Sequence, residues 1–462
     1  MPVTTATEER PAAPPARRGR AALAGLLAAG AGTAVLAHLS AGPGGILERR
    51  YALLLLVGAW TALWVVAVAC ALRAPRRAAV VAVLLLAVVV RLASVAEKAP
   101  LSDDLYRYAW DGVVQHAGVN PYAYAPRDDA LRPLRDTGGQ DWLWPERLVG
   151  EERDALLNRT NVETIYPPVA EAWFYAVHAV VPLSLEDQGY ELVGLAVDLA
   201  VLAVLLALLR QRGRDPREVA FYALCPLPVL EAVQNAHVDG LAVLLALLGV
   251  LAWPRRPAWA AAALTAAALV KVYPGALLPL LLRARTARAR VLAVAVALPV
   301  VAYLPHVLDV GLKVLGYLPG YLGEEQYDQG TRYLLVGLTG LSGAPATAVT
   351  AVLLLGVLGW VLRSDVDLAT ASVRLLTGVF LLVTPVQPWY ALLLLALATA
   401  TGAWWAAAVA LASYPLFFAT IVEGSGATAG RLSYGAAAVV VLVVAVRARR
   451  AAAQRPVEVL AG

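Results

Sequence analysis

A short stretch of the chain concentrates the side chains best suited to acid–base chemistry. Leu101 to Pro126 reads LSDDLYRYAWDGVVQHAGVNPYAYAP and holds two adjacent carboxylates, Asp103 and Asp104, soon after the apolar run at 78–95. Carboxylates are costly to keep charged beside a bilayer, so their position at the end of such a run indicates a functional role. One carboxylate can act as the base that deprotonates a hydroxyl group. Both are candidates, and we favour Asp104; capping of a helix at Leu105–Ala117 is the structural alternative.

Further polar groups accompany this pair. Arg107 and Asp111 follow Asp104 at i+3 and i+7, so a helix would place all three on one face. Arg107 can hold the base in place or contact a phosphate, and a structural ion pair is the alternative. Tyr122, in GVNPY, and Tyr166, in TIYPP, can contact a sugar, although each also lies in a turn sequence that could be purely architectural.

Four later segments carry the other polar groups capable of chemistry. A lysine at a break between two helices favours an anion such as phosphate, and an arginine can clamp the same group. Aromatic and amide groups can stack on or bond to a sugar, with an interfacial aromatic belt as the alternative. A histidine near an aspartate can bind substrate or be a buried hydrogen-bond partner. These substrate-binding candidates are His237 and Asp239 in NAHVD, Lys271 and Tyr273 in KVYP, Arg332 at the end of the 306–332 loop, and Gln387, Trp389 and Tyr390 in TPVQPWY.

The sequence predicts no metal ligands and no certain cofactor. The carboxylates and histidines are too sparsely spaced to define a metal site, although carboxylates with one imidazole would suit a hard divalent ion. A divalent metal is therefore an option that the chemistry does not require. Cys70 and Cys225 both lie within apolar runs, so neither a disulfide framework nor a zinc site is predicted.

The elements that must position these residues are membrane helices. The chain of 462 residues is 60% hydrophobic and 15% charged, whereas soluble domains carry roughly 25% charged residues. Its arginines lie in short clusters between apolar runs, such as Arg283 to Arg290 and Arg447 to Arg450. This positive-inside pattern is typical of a multi-pass membrane protein surrounded by lipid, and it argues against nucleic acid as a partner.

The predicted fold is an all-α, polytopic transmembrane helical bundle with about 11–14 spans. Residues 1–20 are predicted to be a disordered cytoplasmic tail, residues 21–450 a single membrane domain, and residues 451–462 a second cytoplasmic tail. The segment at 274–283 is short for a span and is interpreted as half of a broken helix. The apolar runs lie at 21–39, 51–72, 78–95, 189–210, 217–233, 236–253, 257–271, 274–283, 289–305, 345–363, 370–384, 388–402, 404–421 and 430–447.

Charge and parity place the polar groups on one side of the membrane. If the N-terminus is cytoplasmic, the helix at 78–95 delivers the paired aspartates to the outside. The basic segment at 210–217 should be inside, so only one crossing lies between them. Of two candidates, 168–183 is the less apolar, and we predict that it lies along the outer face while 189–210 crosses. Residues 96–188 then form a large extracytoplasmic catalytic loop with short helices of its own.

The motifs together resemble the GT-C superfamily of membrane glycosyltransferases, in particular bacterial polyprenyl-phosphate-mannose-dependent mannosyltransferases and, more distantly, GPI mannosyltransferase I. The resemblance rests on SDDLYRYAWDG, AGVNPYAYAP, TIYPPV, NAHVD, KVYP and TPVQPWY, in that order from Ser102 to Tyr390. It implies an inverting enzyme of the plasma membrane that moves mannose from a polyprenyl-phosphate donor to a lipid- or glycan-linked hydroxyl. The base of the family aligns with Asp104, four residues before Tyr108. Some members have a spaced Asp-x-Asp pair, whereas the aspartates here are adjacent.

Two other functions are compatible with a polytopic chain. A transporter or flippase of a lipid-linked sugar would place polar residues deep within its spans and show an inverted repeat, and the sequence shows neither. An acyltransferase would require a catalytic histidine within a span, and His178 and His237 do not fit that role. The predicted activity is therefore that of a polyprenyl-phosphate-sugar-dependent hexosyltransferase, with the transporter as the alternative.

Overall fold

The computed structural model describes residues 15–44, 46–95, 102–135, 157–181 and 185–453, and within these ranges it contains helices and no strands. The predicted all-α bundle is therefore confirmed. The α-helices are α1 Pro15–Ser40, α2 Ile46–Arg73, α3 Arg76–Val95, α4 Asp104–His116, α5 Arg132–Arg135, α6 Pro168–Val180, α7 Glu186–Gln211, α8 Ala220–Ala223, α9 Pro226–Pro228, α10 Asp239–Ala252, α11 Pro257–Val270, α12 Arg288–Val310, α13 Leu318–Glu324, α14 Gly343–Arg363, α15 Leu368–Val383, α16 Ala391–Thr401, α17 Ala406–Leu411, α18 Ser413–Glu423 and α19 Ala427–Ala453.

Shorter helical segments of other types join them. The 3₁₀ segments are Asp129–Leu131, Pro216–Val219, Tyr273–Arg283, Gly311–Leu315, Val336–Thr339 and Pro388–Tyr390, and Val229–Gln234 is a π-helix. The Tyr273–Arg283 segment has 11 residues, which is long because 3₁₀ runs rarely exceed about four residues. It replaces the predicted half-helix at 274–283, so the chain there is helical but does not form an ordinary span.

Seven helices of the described chain are long and apolar enough to cross a membrane. They are α1, α2, α3, α7, the segment beginning at Arg288, α14 and α19, and a bent pair of helices raises the number to eight. Four shorter apolar helices of 10–17 residues accompany them. The predicted count of 11 to 14 spans requires these shorter helices to cross as well, and it stays a prediction.

The outward faces of the long helices are apolar. On α14, for example, Val352, Leu355 and Trp360 are largely exposed. A soluble protein would bury such side chains, whereas a bilayer offers them an apolar environment of its own. Helices suit that environment because every backbone polar group within them is satisfied inside the segment.

A buried ion pair joins two of the membrane helices and the short helix α8. Arg91 on α3 donates from Nε to Asp198 of α7 at 2.6 Å, and both side chains are fully buried. The hydroxyl of Tyr222 on α8 donates to the same carboxylate at 2.7 Å, and Arg91 also donates to the carbonyl of Ala223. Breaking a buried, hydrogen-bonded pair of this kind costs about 3–5 kcal/mol. We therefore assign this cluster a structural role.

The first polar loop carries helices of its own, as predicted. Of these, α4 packs against α6, and their rings stack: the ring centroids of Tyr108 and Phe174 are 4.6 Å apart. The close approach needs Gly112, where a Cβ atom would lie 2.8 Å from the Cβ of His178. The predicted helix at 168–183 is α6, with Pro168 in its first turn. Its 13 residues extend about 20 Å, too short to cross a bilayer core of about 30 Å.

Two predicted boundaries are wrong. Helix α1 begins at Pro15, so the N-terminal tail does not extend to residue 20, and α19 continues to Ala453, into the predicted C-terminal tail. The first extension, at 15–20, holds three arginines and the second, at 451–453, three alanines, and both residue types are strong helix formers that prolong a helix beyond its apolar part. The remaining parts of these tails, and residues 136–156 of the predicted outer loop, lie outside the described residues.

The predicted separate spans at 217–233 and 236–253 are also corrected. Residues 216–234 instead form 3₁₀, α and π segments, and Pro226–Gln234 meets α10 at an angle of 116°. The chain turns at Ala236, whose φ of 48° is left-handed. The bend lies between the π-helix Val229–Gln234 and α10, at a position that hydropathy alone did not show.

Candidate active site

A cavity of about 530 Å³ lies where the polar loops meet the helix bundle, a volume typical of small-molecule sites. Its walls come from six parts of the chain, which are the start of α4, the loop at 158–167, the start of the Tyr273–Arg283 segment, the second loop around α13, the end of α15 with the segment after it, and Phe417 of α18. Eight of the predicted site residues line it: Asp104, Arg107, Tyr166, Lys271, Tyr273, Gln387, Trp389 and Tyr390.

Asp104 presents a carboxylate to this cavity that helix capping does not occupy. It is the first residue of α4, and Asp103 takes the N-cap position without any side-chain cap bond. Instead, the Ser102 hydroxyl accepts from the Asp104 backbone N–H at 3.3 Å. The phenol of Tyr166 donates to Asp104 Oδ2 at 3.3 Å. The capping alternative therefore does not account for Asp104, whose oxygens retain capacity to accept a proton.

Asp103 is not among the residues that line the cavity. Burial of its carboxyl group and then the neighbouring charge of Asp104 raise the pKa of Asp103 to about 6. The two adjacent aspartates thus differ in position, and only Asp104 can contact a molecule bound in the cavity. Adjacent side chains at the start of a helix point in different directions, so two residues that are neighbours in sequence need not face the same site.

Lys271 lies over the ring of Tyr166. Its Nζ atom is 4.7 Å from the centroid of that ring and 5.8 Å from that of Tyr390. The same atom is 3.5 Å from Oδ2 of Asp239, which is fully buried and does not line the cavity. Asp239 therefore holds the ammonium group from behind, and two aromatic faces hold it at the cavity wall. Tyr273 stacks on Tyr390 at 5.0 Å.

His237 lies behind the cavity wall. Its Nε2 atom is 3.1 Å from Ser102 Oγ and 3.9 Å from Asp104 Oδ2, while Nδ1 is 3.3 Å from Glu231 Oε2. Its ring stacks on Trp389 with centroids 4.1 Å apart. His237 thus contacts three cavity residues and does not itself line the cavity.

Arg107 anchors a buried carboxyl network beside the cavity. Its Nε is 3.0 Å from Asp111, and the Thr164 hydroxyl lies 2.8 Å from both Asp111 and Glu171. A hydroxyl has one hydrogen to donate, so two ionised carboxylates cannot both accept it. Burial and the charge of Asp111 raise the pKa of Glu171 well above its usual value. Burial also raises the pKa of Asp111, against the lowering effect of Arg107. Asp111 therefore has a structural partner set and does not face the cavity.

Two other predicted residues lie outside the cavity wall. Tyr122 is buried and donates to the carbonyl of Tyr166 at 2.6 Å, which fixes the backbone of the loop. Arg332 forms an ion pair with Glu325 at 3.2 Å, and Gln387 donates to the same carboxylate at 2.6 Å. Arg332 thus braces the second loop in this state, and no phosphate role for it follows from the geometry.

The sequence did not single out several residues that line the cavity. Arg159 of the first loop binds Glu324 of the second at 2.7 Å, which ties the two loops together. Tyr321 shares a hydrogen bond of 3.0 Å with Tyr390. The density of tyrosines in GYLPGYLGEEQYDQGTR was the available signal. The cavity residues missed are Ser102, Asn158, Arg159, Glu163, Tyr317, Tyr321 and Tyr327.

The cavity combines a proton acceptor, Asp104, with a cation, Lys271, and it has both polar and apolar lining residues. Polar and aromatic groups line one part of the cavity, while Leu322, Val379, Phe380, Val383 and Phe417 line another. Such a site suits a molecule with a charged or hydroxylated head and an apolar tail. Among the described residues, no three His, Cys, Asp or Glu side chains are arranged for a metal ion, so metal use stays untested.

Comparison with known proteins gives one match. The model of glycosyltransferase family 87 matches residues 164–385, just under half of the chain. The match includes Tyr166, His237 and Lys271, whereas Asp104 and Trp389 lie outside it. No curated protein and no solved structure gives a significant match. The family match and the membrane-length helices support a multi-pass membrane glycosyltransferase.

Proposed function

We propose that the protein is an inverting glycosyltransferase that moves a sugar from a polyprenyl-phosphate donor to a hydroxyl group of a lipid or glycan. Mannose is the sugar to test first, because the motif resemblance favours it. One observation carries the proposal: a single cavity holds the Asp104 carboxylate and the Lys271 ammonium group, and Tyr166 contacts both, the first through its hydroxyl and the second through its ring. A base and a phosphate-binding cation are the two groups that this transfer requires.

The donor is held by its two ends. Lys271 binds the phosphate, for which an ammonium group is a suitable point charge. The apolar part of the cavity, which includes Val379, Phe380 and Val383, takes the first part of the prenyl chain. Trp389 and Tyr390 offer aromatic faces for stacking on the sugar ring. The anomeric carbon then lies between the phosphate and the carboxylate side of the cavity.

Transfer proceeds by direct displacement. Asp104 accepts the proton of the acceptor hydroxyl as its oxygen attacks the anomeric carbon from the face opposite the phosphate. The bond between that carbon and the phosphate oxygen breaks, and its electron pair leaves with polyprenyl phosphate, beside Lys271. The product has the inverted configuration. Asp104, now protonated, returns its proton to water before the next cycle.

The distribution of basic residues supports an extracytoplasmic site in the plasma membrane. The Tyr273–Arg283 segment begins at the cavity and ends at a cluster of arginines, and α15 also runs from that cluster to the cavity, so the cavity and the cluster lie at opposite ends of these two elements. Basic loops remain on the cytoplasmic side. The same rule supports a cytoplasmic location for both termini, since arginines lie at the end of the stretch Met1 to Arg20 and near the end of α19.

The proposal is tested with purified full-length protein and a panel of polyprenyl-phosphate sugars. Asp104→Asn removes the base and keeps the shape, and we expect kcat to fall by about 10²- to 10⁴-fold. Asp103→Asn is the matched control, since Asp103 does not line the cavity, and it should retain kcat within a few-fold. Transfer that persists at the wild-type rate in Asp104→Asn would refute the assignment of the base. Absence of transfer from every donor in the panel would refute the proposed reaction.

A further inference from the structure

A second cavity, of about 670 Å³, lies at the end of the bundle opposite the candidate active site. Three loops form it, at 253–257, 283–287 and 363–368, and they join α10 to α11, the Tyr273–Arg283 segment to α12, and α14 to α15. The Tyr273–Arg283 segment links the two cavities over about 20 Å, from its 11 residues and a rise of about 2 Å per residue. The second cavity is therefore separate from the donor site.

The charges of this cavity favour an anion. Arg283, Arg285 and Arg363 line it, together with Asp365 and Asp367. Asp367 is already neutralised, because Arg212 donates to both of its oxygens and the same carboxylate caps α15. Three guanidinium groups thus face one remaining carboxylate.

Two of the arginines are free to bind. Arg283 is fixed, because it donates to the backbone carbonyls of Ser364 and Val366 and so holds the loop in place. Arg285 lies 3.8 Å from Asp365, but both side chains are almost fully exposed, and such a contact contributes little in water. Arg363 is also exposed, and its described partner is a carbonyl of its own helix. Arg285 and Arg363 can therefore turn to a ligand.

The surroundings of the cavity favour a lipid over a soluble anion. Trp253, Leu362 and Leu368 line it beside the arginines. Helix α14 ends at the cavity, and its largely exposed apolar face, which includes Leu355, offers a surface along which acyl chains can run. We propose that this cavity binds the phosphodiester headgroup of an anionic phospholipid, with the acyl chains against α14. Basic pockets at the ends of membrane helices are suited to such headgroups.

The test measures lipid binding and requires no catalytic activity. Delipidated full-length protein is mixed with equal amounts of phosphatidylglycerol and phosphatidylcholine, and native mass spectrometry counts the lipids retained. Arginines near anionic headgroups contribute about 5-fold each, so Arg285→Gln/Arg363→Gln should weaken binding of phosphatidylglycerol by about 30-fold. The matched control is Arg449→Gln/Arg450→Gln, an exposed pair of arginines at the end of α19 that does not line the cavity.

Three results are distinguishable. Retention of phosphatidylglycerol in wild type and control, with loss in Arg285→Gln/Arg363→Gln, supports the site. Equal loss in the two double variants, or loss in neither, overturns it, because general surface charge or another surface then holds the lipid. A parallel arm adds inorganic phosphate in place of lipid and follows thermal unfolding. Stabilisation by phosphate that equals stabilisation by phosphatidylglycerol would overturn the lipid assignment in favour of a soluble anion.

Discussion

The contact between Lys271 and Asp239 allows the structural and functional roles of one residue to be separated. Asp239 is fully buried, and neither of its carboxylate oxygens accepts a hydrogen bond of ordinary geometry from any residue that the structure describes. The ammonium group of Lys271, 3.5 Å away, is its counter-charge. Lys271→Met keeps most of the side-chain volume but leaves a buried carboxylate unpaired. The same change removes the cation that we propose binds the donor phosphate.

The two roles predict different magnitudes. Removing one partner of a buried ion pair costs about 3–5 kcal/mol of unfolding free energy. Adding Asp239→Asn discharges the orphaned group, so Lys271→Met/Asp239→Asn should recover about 2 kcal/mol of that loss through the coupling of the two residues. Donor binding should not recover. Loss of an ammonium–phosphate contact of about 1.5–3 kcal/mol raises the donor KM by about 10- to 100-fold in the double variant as well.

The assay combines two measurements on the same preparations. Unfolding in mixed micelles, followed by tryptophan fluorescence, gives the stability, and initial rates at varied polyprenyl-phosphate mannose give the donor KM. Lys313→Met is the control, because Lys313 is exposed and its described hydrogen bond is to the carbonyl of Ala123; neither quantity should change. A double variant with wild-type donor KM would refute the phosphate role. A Lys271→Met protein as stable as wild type would refute the ion pair.

Three further predictions follow from single contacts. Tyr166→Phe removes the hydroxyl that donates to Asp104 and should lower kcat by about 3- to 10-fold, as rate measurements will show, with unfolding unchanged. Glu171 has a raised pKa because of burial and Asp111, so the folded state holds a proton that the unfolded state has released. Stability should fall as pH rises above about 4.5, and unfolding at several pH values should show a smaller fall in Glu171→Gln. Gly316→Ala should destabilise the outer loops, since φ is +52° and a Cβ would lie 1.7 Å from a loop carbonyl; limited proteolysis measures it.

Residues at the ends of apolar runs could be predicted well from the sequence. Lys271, Tyr273 and Trp389 follow or interrupt such runs in KVYP and TPVQPWY, and all three line the cavity. The reason is physical: a polar group within a bilayer core is costly, so it lies where the helix ends or breaks. In a membrane protein the helix ends lie at one or the other face of the membrane. The sequence therefore implied that these polar residues share the same depth. The same reasoning gave Asp104 at the start of α4.

Lateral position could not be predicted in the same way. Asp239 and His237 lie at the same depth as the cavity but behind its wall, because α10 makes an angle of 116° with the segment before it. Arg332 likewise lies at the depth of the cavity, but it forms an ion pair with Glu325. Which residue faces the cavity depends on helix rotation and on partners far apart in the chain. A hydropathy pattern predicts neither the helix rotation nor these partners. For the same reason the sequence analysis did not identify the tyrosines of the second loop as cavity residues.

The breaks in the helices explain why the site lies where it does. Irregular backbone in a membrane protein is tolerated only where protein buries it or where it borders a water-filled cavity. Three breaks meet around the cavity: the left-handed turn at Ala236, the start of the Tyr273–Arg283 segment, and the left-handed Thr384 before Pro388. Each break frees the chain to place polar side chains beside one another, which continuous helices could not do. Polar motifs at these breaks, two of which contain proline, therefore indicate from the sequence where the cavity lies.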